Sequence, residues 1–205
     1  MNAVFTGIIE EKATIAQMND HETHMELKIK AEKIMQDMKE GDSISINGVC
    51  LTVTDFEENM FQVDVMPETM KSTSLQALQE NSRVNVERAM AANNRFGGHF
   101  VSGHVDAAGR IASIEPLANA VYIHIEVPEQ LMPYMMLKGS VTLDGISLTL
   151  FGVDDAASTI TVSIIPHTWE ETNLSTKQLN DPINVECDVL MKYTERLLET
   201  KYKKA

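Results

Sequence analysis

Apolar and polar residues alternate along several short stretches of this chain. Ile44 and Ile46 alternate with Ser43 and Ser45, and after Asn47-Gly48 the pattern resumes with Val49, Leu51 and Val53. Phe61, Val63 and Val65 repeat it, as do Ile146, Leu148 and Leu150, then Ile160, Val162 and Ile164. A period of two predicts strands with one buried face, and the Asn-Gly pair predicts a turn or bulge between two of them. "AEKIMQDMKE" (31–40) and "PEQLMPYMML" (128–137) read as brief helical connections. After Pro182 the period changes: Leu190, Tyr193, Leu197, Leu198 and Tyr202 share one face of a helix that begins near Asp188, a suitable N-cap. That apolar face needs a cover, either the chain's own body or other copies of the chain.

The alternation is written twice. "FTGIIEE" (5–11) is answered by "VSGHVDA" (101–107), "GVCLTV" (48–53) by "GISLTL" (145–150), "VDVMPETMKSTSL" (63–75) by "VSIIPHTWEETNL" (162–174), and "VNVE" (84–87) by "INVE" (183–186). The separations run only from 96 (Phe5 to Val101) to 99 (Val84 to Ile183). Two copies of one domain therefore follow each other, joined near "NNRFGG" (93–98), with the helix as an unrepeated addition. The expected division is 1–97, 98–187 and 188–205. Several short strands per copy point to an all-β fold of two small closed or Greek-key barrels.

Composition narrows the partners. A chain of 205 residues with 43% hydrophobic and 23% charged residues has the make-up of an ordinary globular protein. The net charge of -13 opposes binding to a phosphate backbone, and the basic tail "KYKK" (201–204) suits a helix terminus better than a nucleic-acid site. The N-terminal stretch has no basic region before its apolar run, which Glu10, Glu11 and Lys12 interrupt, so it does not read as a signal peptide. No segment is apolar enough for a membrane span, and two cysteines without an export signal suit the cytoplasm.

Alternation also sorts the reactive groups. Cys50 and Thr52 lie on the face opposite Val49, Leu51 and Val53, and Ser147 and Thr149 lie opposite Ile146, Leu148 and Leu150. Each copy thus presents a small nucleophilic or hydrogen-bonding pair, although a lone cysteine is more often a small buried hydrophobe and Ser and Thr are common in strands. His104 replaces the aliphatic Ile8 of the first copy. His21 with His24, and His99 with His104, lack further ligands at zinc spacing, so no metal site is expected.

Taken together, "FTGIIEE", "NGVCLTV", "GGHFVSGHVD", "KGSVTLDGISLTL" and "IPHTWEETNL" resemble the riboflavin synthase family of the alpha-chain type, whose subunits carry two lumazine-binding repeats. The resemblance runs from Val4 into the C-terminal helix. It implies two six-stranded Greek-key barrels and a C-terminal helix that joins a homotrimer. It further implies a transferase without metal or cofactor that converts two molecules of 6,7-dimethyl-8-ribityllumazine into riboflavin and 5-amino-6-(D-ribitylamino)uracil. Association with lumazine synthase stays open.

By the same resemblance, one ring is expected in the N-terminal barrel near Phe5, Gly7, Ile8, Ile9, Ser43, Cys50, Leu51, Thr52, Asp64, Val65, Met66, Pro67, Glu68 and Thr69. The other is expected in the C-terminal barrel near Gly103, His104, Val105, Lys138, Ser147, Leu148, Thr149, Ser163, Ile164, Ile165, Pro166, His167 and Thr168. Cys50 and Ser147 are the expected asymmetric pair at the reacting centres, with His104 as proton shuttle or orienter. Lys138, Asp144 and Asp188 match family catalytic positions, with a structural ion pair or N-cap as the alternative for each. A non-enzymatic lumazine- or flavin-binding antenna protein of the same fold is the rival reading.

Overall fold

The structure is a computed structural model that describes residues 3–202, the side chain of Tyr202 excepted. Six strands, β1 (Glu11–Asp20), β2 (Met25–Lys30), β3 (Ser43–Ile46), β4 (Val49–Glu57), β5 (Met60–Val65) and β6 (Arg83–Arg88), close a first barrel in the order β1-β2-β5-β4-β3-β6. A second barrel repeats that order with β7 (Ala107–Leu117), β8 (Ala120–Glu126), β9 (Ser140–Leu143), β10 (Ile146–Asp154), β11 (Thr159–Ile164) and β12 (Pro182–Cys187). All neighbouring strands are antiparallel, and closure leaves neither sheet an open edge.

The alternating apolar residues fill the barrels. Leu27, Ile29, Ile44, Ile46, Val53, Val63, Val65, Val84 and Val86 form one core, and Ile123, Ile125, Val141, Leu143, Leu150, Val162, Ile164, Ile183 and Val185 form the other. The two-residue turns Asn47-Gly48 and Asp144-Gly145 have positive φ throughout (46°, 81°, 43° and 83°), which matches the right-handed twist of a tight hairpin. Two short helices, α1 (Pro67–Ser72) and α2 (Pro166–Glu171), start on a proline whose missing N–H costs nothing at that position. The connections read as helical are shorter than expected: only Lys33–Asp37 and Glu129–Tyr134 wind, and as 3-10 turns. In the second, Pro133 inside the turn limits regular helix hydrogen bonding.

The C-terminal helix α3 (Val189–Tyr202) begins where expected, with Asp188 Oδ1 accepting from the Leu190 amide at 2.9 Å. Lys192 pairs with Asp106 at 2.8 Å, and Tyr134 donates to Glu195, which moors the helix to the second barrel. Its apolar stripe does not face that barrel, for Leu190, Tyr193, Leu197 and Leu198 are all more than half exposed. Of the basic tail, residues 203 and 204 lie outside the described part of the chain, as does the side chain of Tyr202.

Candidate functional site

Before each barrel begins, the chain crosses to the other one. Phe5 and Val101 form an antiparallel bridge, Phe5 N donating to Val101 O at 2.8 Å, so the two entry segments lie side by side in the seam. From there Gly7 O accepts from Ser147 N at 2.8 Å, and Gly103 O accepts from Cys50 N at 2.9 Å. Ile9 packs against the second core and Val105 against the first. Expectation had placed Gly7, Ile8 and Ile9 with Cys50, and Gly103, His104 and Val105 with Ser147. The structure exchanges them: residues 7–9 adjoin the Ser147 surface and residues 103–105 the Cys50 surface. The physical reason is the seam bridge, which directs each segment past its own barrel before strand pairing starts.

Both crossings need glycine. At Gly7 and Gly103 φ is +75° and +74°, and a Cβ there would lie 2.6 Å from Ser147 Cβ or 2.5 Å from Cys50 Cβ. Each segment is also clamped by a carboxylate. Glu87 accepts from Thr6 N (2.7 Å), Thr6 Oγ1 (2.7 Å) and Gly7 N (3.0 Å). Glu186 accepts from Ser102 N (2.7 Å), Ser102 Oγ (2.6 Å) and Gly103 N (3.0 Å). Burial pushes both carboxyl groups above the usual range, and these hydrogen bonds pull them back. Neither glutamate was among the expected site residues. The signal was present in the repeated "NVE", where a charged residue recurs at the end of a strand in both copies.

The C-barrel surface is a depression of about 350 Å³ lined by Ser147, Leu148, Thr149, Phe151, Ser163, Ile164, Ile165 and Thr168. Seven of these eight were expected; Phe151 was not. It is the extra residue of a bulge in β10, and its ring meets Tyr122 edge-on at 5.3 Å. Pro166 and His167 open α2 beside it. The corresponding N-barrel surface carries Cys50, Thr52, Asp64, Met66, Pro67, Glu68 and Thr69, with Thr54 at the matching bulge. Cys50 is half-buried; burial pushes its thiol up, against the lowering influence of the Ser43 side chain. Leu51, Val65 and Ile164 face the cores and can offer a ligand only their backbone.

Ser147 has a partner that sequence reasoning did not assign. Its Oγ stands 2.6 Å from His99 Nδ1, and His99 Nε2 stands 3.1 Å from Thr142 Oγ1. Burial pushes the imidazole below its ordinary value of 6.5, against the opposing field of Asp188. Gly98 makes the approach feasible, since a Cβ there would lie 2.0 Å from Thr6 O and 2.9 Å from Ser147 Cβ. His104 is exposed on the segment that closes the Cys50 surface.

Four more of the expected site residues have structural surroundings of their own. Phe5 is fully buried at the seam bridge. Lys138 is exposed in the turn before β9, its amide bonded to Leu150 O, whose chain neighbours Thr149 and Phe151 line the depression. Asp188 caps α3. Asp144 is fully buried between the barrels, where it pairs with Lys177 at 2.8 Å and accepts from Asn184 N, Asn173 Nδ2 and Ser74 Oγ. Its electrostatic role is therefore in the seam, because no ligand can reach a carboxylate without exposed surface.

With this geometry in hand, comparison with known proteins gives a consistent picture. The family model described as "Lumazine binding domain" matches residues 6–89 and 102–188. A riboflavin synthase of Bacillus subtilis (strain 168) is 54% identical over 195 residues, covering 95% of this chain and 90% of the relative. One from Actinobacillus pleuropneumoniae is 52% identical over the same shares. Among solved structures, LumP complexed with 6,7-dimethyl-8-(1'-D-ribityl) lumazine superposes with a TM-score of 0.80 over 89% of this chain and 98% of LumP, at 20% identity, which speaks to the fold alone.

Proposed function

Because this chain belongs to the riboflavin synthase family, with two lumazine-binding domains, we propose that it is an enzyme that dismutates 6,7-dimethyl-8-ribityllumazine. Two lumazines enter, a four-carbon unit passes from one to the other, and riboflavin and 5-amino-6-(D-ribitylamino)uracil leave. The observation that carries this reading is the pair of equivalent surfaces, Cys50 closed by Gly103 and Ser147 closed by Gly7, in a chain so similar to riboflavin synthases. Two identical substrates call for two similar surfaces. Holding two rings face to face replaces an encounter of dilute reactants by a nearly unimolecular step.

The chemistry asks for a group that takes a proton from a ring methyl, a group that adds to or polarises the partner ring, and hydrogen bonds to the developing ring anion. Ser147, with Thr149 and Ser163 beside it, supplies hydroxyls at one surface. Cys50, Thr52 and the exposed His104 supply the other. The two surfaces belong to different barrels, and the reading has an N-barrel of one copy meet a C-barrel of the next so that one ring stacks on the other. The uncovered stripe of α3 supports a homotrimer built in this way.

Two expected outcomes test the reading. Ser147→Ala should lower turnover of the lumazine at least about a hundredfold, the usual scale for loss of a proton-transfer group, while changing the lumazine Kd far less. Equal losses in kcat and affinity would mean that Ser147 only holds the ring. Leu197→Glu, at a position 71% exposed in the single chain, should convert the trimer to monomers in sedimentation velocity and lower activity with it. A fully active monomer would refute the intersubunit site.

A further inference from the structure

The two surfaces also differ in what stands behind the central residue. Behind Ser147 lies His99, 8% exposed, with both ring nitrogens engaged by hydroxyls: Nδ1 by Ser147 at 2.6 Å and Nε2 by Thr142 at 3.1 Å. Among the described residues the first copy has no histidine in the matching place. Phe5 answers Val101 at the seam bridge, which sets Ala3 opposite His99, and β3–β4 pairing sets Ser45 in the place of Thr142. Cys50 has the Ser43 side chain beside it and, among the described residues, no histidine hydrogen-bonded to it. Among the described residues it is therefore the C-barrel surface that has a hydroxyl wired to an imidazole.

On the reading given above, we infer that His99 receives, through Ser147, the proton removed from the lumazine methyl group, so that the lumazine on the C-barrel surface is the one that becomes the carbon nucleophile. The step balances without any further reactant. The methyl C–H breaks and leaves its electron pair delocalised over the ring; the proton passes to Ser147 Oγ as the Ser147 hydroxyl proton passes to His99 Nδ1. The imidazolium so formed donates Nε2–H to Thr142 Oγ1 and lies in the field of Asp188, the charged group that acts on it. Reversal of the same transfers returns the proton after bond formation. His99 does not touch the substrate and is a positioning and proton-accepting residue behind Ser147.

This arrangement requires His99 to be neutral at the start. Burial lowers its pKa, so the neutral form is present at pH 7 and is lost only as pH falls through a value below 6.5. The acid limb of kcat/KM should accordingly lie below the ordinary histidine range.

The test follows exchange of the lumazine methyl protons with deuterium on the trimeric protein by NMR, beside riboflavin formation and the number of lumazines bound. The inference predicts that His99→Asn, whose amide can still reach Ser147 from the Nδ1 position, loses enzyme-dependent exchange and turnover about a hundredfold with both lumazines still bound. Cys50→Ala should lose riboflavin formation and keep the exchange. Rescue of both rates by His99→Asn would show that the imidazole merely orients Ser147 and would overturn the inference, as would equal loss of exchange in Cys50→Ala. Should His99→Asn fail to fold, Thr142→Val decides: it should lower kcat about tenfold and displace the acid limb, and an unchanged rate and pH profile would overturn the inference. Failure of the unaltered protein to bind lumazine at all would instead remove the reading on which the inference rests.

Discussion

Replacing Gly103 by alanine should lower riboflavin formation about a hundredfold while both barrels stay folded. A Cβ at this position would lie 2.5 Å from Cys50 Cβ and 2.9 Å from Cys50 N, contacts that nothing can absorb because both atoms belong to a paired strand. The left-handed backbone adds about 1–2 kcal/mol of strain for any residue with a side chain. The 101–105 segment must then lift off Cys50, which breaks the Gly103 O hydrogen bond and stretches the clamp to Glu186. His104, the next residue, moves with it. Misplacement of a reacting group by about 1 Å is enough to cost about a hundredfold in rate, whereas the strand ladders that close the barrels are untouched. Steady-state turnover with circular dichroism and a thermal melt would check the outcome. Wild-type turnover in Gly103→Ala would show that the crossing segment does not set the site.

The second large effect is on stability. Asp144→Ala should destabilise the chain by about 3–5 kcal/mol, the range for removing one partner of a buried ion pair. It leaves Lys177, whose side chain is 12% exposed, without its carboxylate, and orphans the Asn184 and Asn173 donors. The first copy shows how the same place is built without charge, since Asn47 stands where Asp144 does and Leu78 where Lys177 does. The double replacement Asp144→Asn with Lys177→Leu should therefore recover most of the loss in a denaturant titration. It should also retain turnover, because the pair lies in the seam and not at either surface. A folded double variant without activity would return Asp144 to the reacting groups.

Much of this architecture could be read from the sequence because it is local. The two-residue period placed the strands, the Asn-Gly pair placed a hairpin turn, and Asp188 followed by an i, i+3, i+7 stripe placed α3. The repeat supplied the two barrels, since each block occurs once per copy in the same order. The crossing was invisible for the opposite reason. Whether Gly7 serves Cys50 or Ser147 depends on a bridge between residues 96 positions apart, Phe5 and Val101, and strand periodicity is the same in both arrangements. His99 was hidden likewise, because its partners Ser147 and Thr142 are 48 and 43 residues away. Alignment of the two copies offered one clue, an imidazole at 99 against a methyl at Ala3. The Glu87 and Glu186 clamps were legible in principle from "VNVE" and "INVE", yet a strand-end glutamate reads as solvated until its backbone partners are known.

Asp144 illustrates a different limit. A charged residue next to a glycine turn in one copy, with asparagine in the other, looks like a functional asymmetry. In the fold, the tips of the two hairpins meet, with a Cβ on Gly48 falling 2.8 Å from Gly145 N. Asn47, Asn85, Asp144, Asn173 and Asn184 bond across that contact. The asymmetry thus tunes a seam between two duplicated halves, and the chemical asymmetry lies at His99 and Ser147.

The measurement closest to the central claim is to mix the purified protein with 6,7-dimethyl-8-ribityllumazine, without added cofactor or metal, and follow absorbance and flavin fluorescence while the pyrimidine product is quantified. Two lumazines consumed for each riboflavin and each 5-amino-6-(D-ribitylamino)uracil formed is the predicted result. Tight lumazine binding without riboflavin would contradict it and make the chain a chromophore carrier of the same fold.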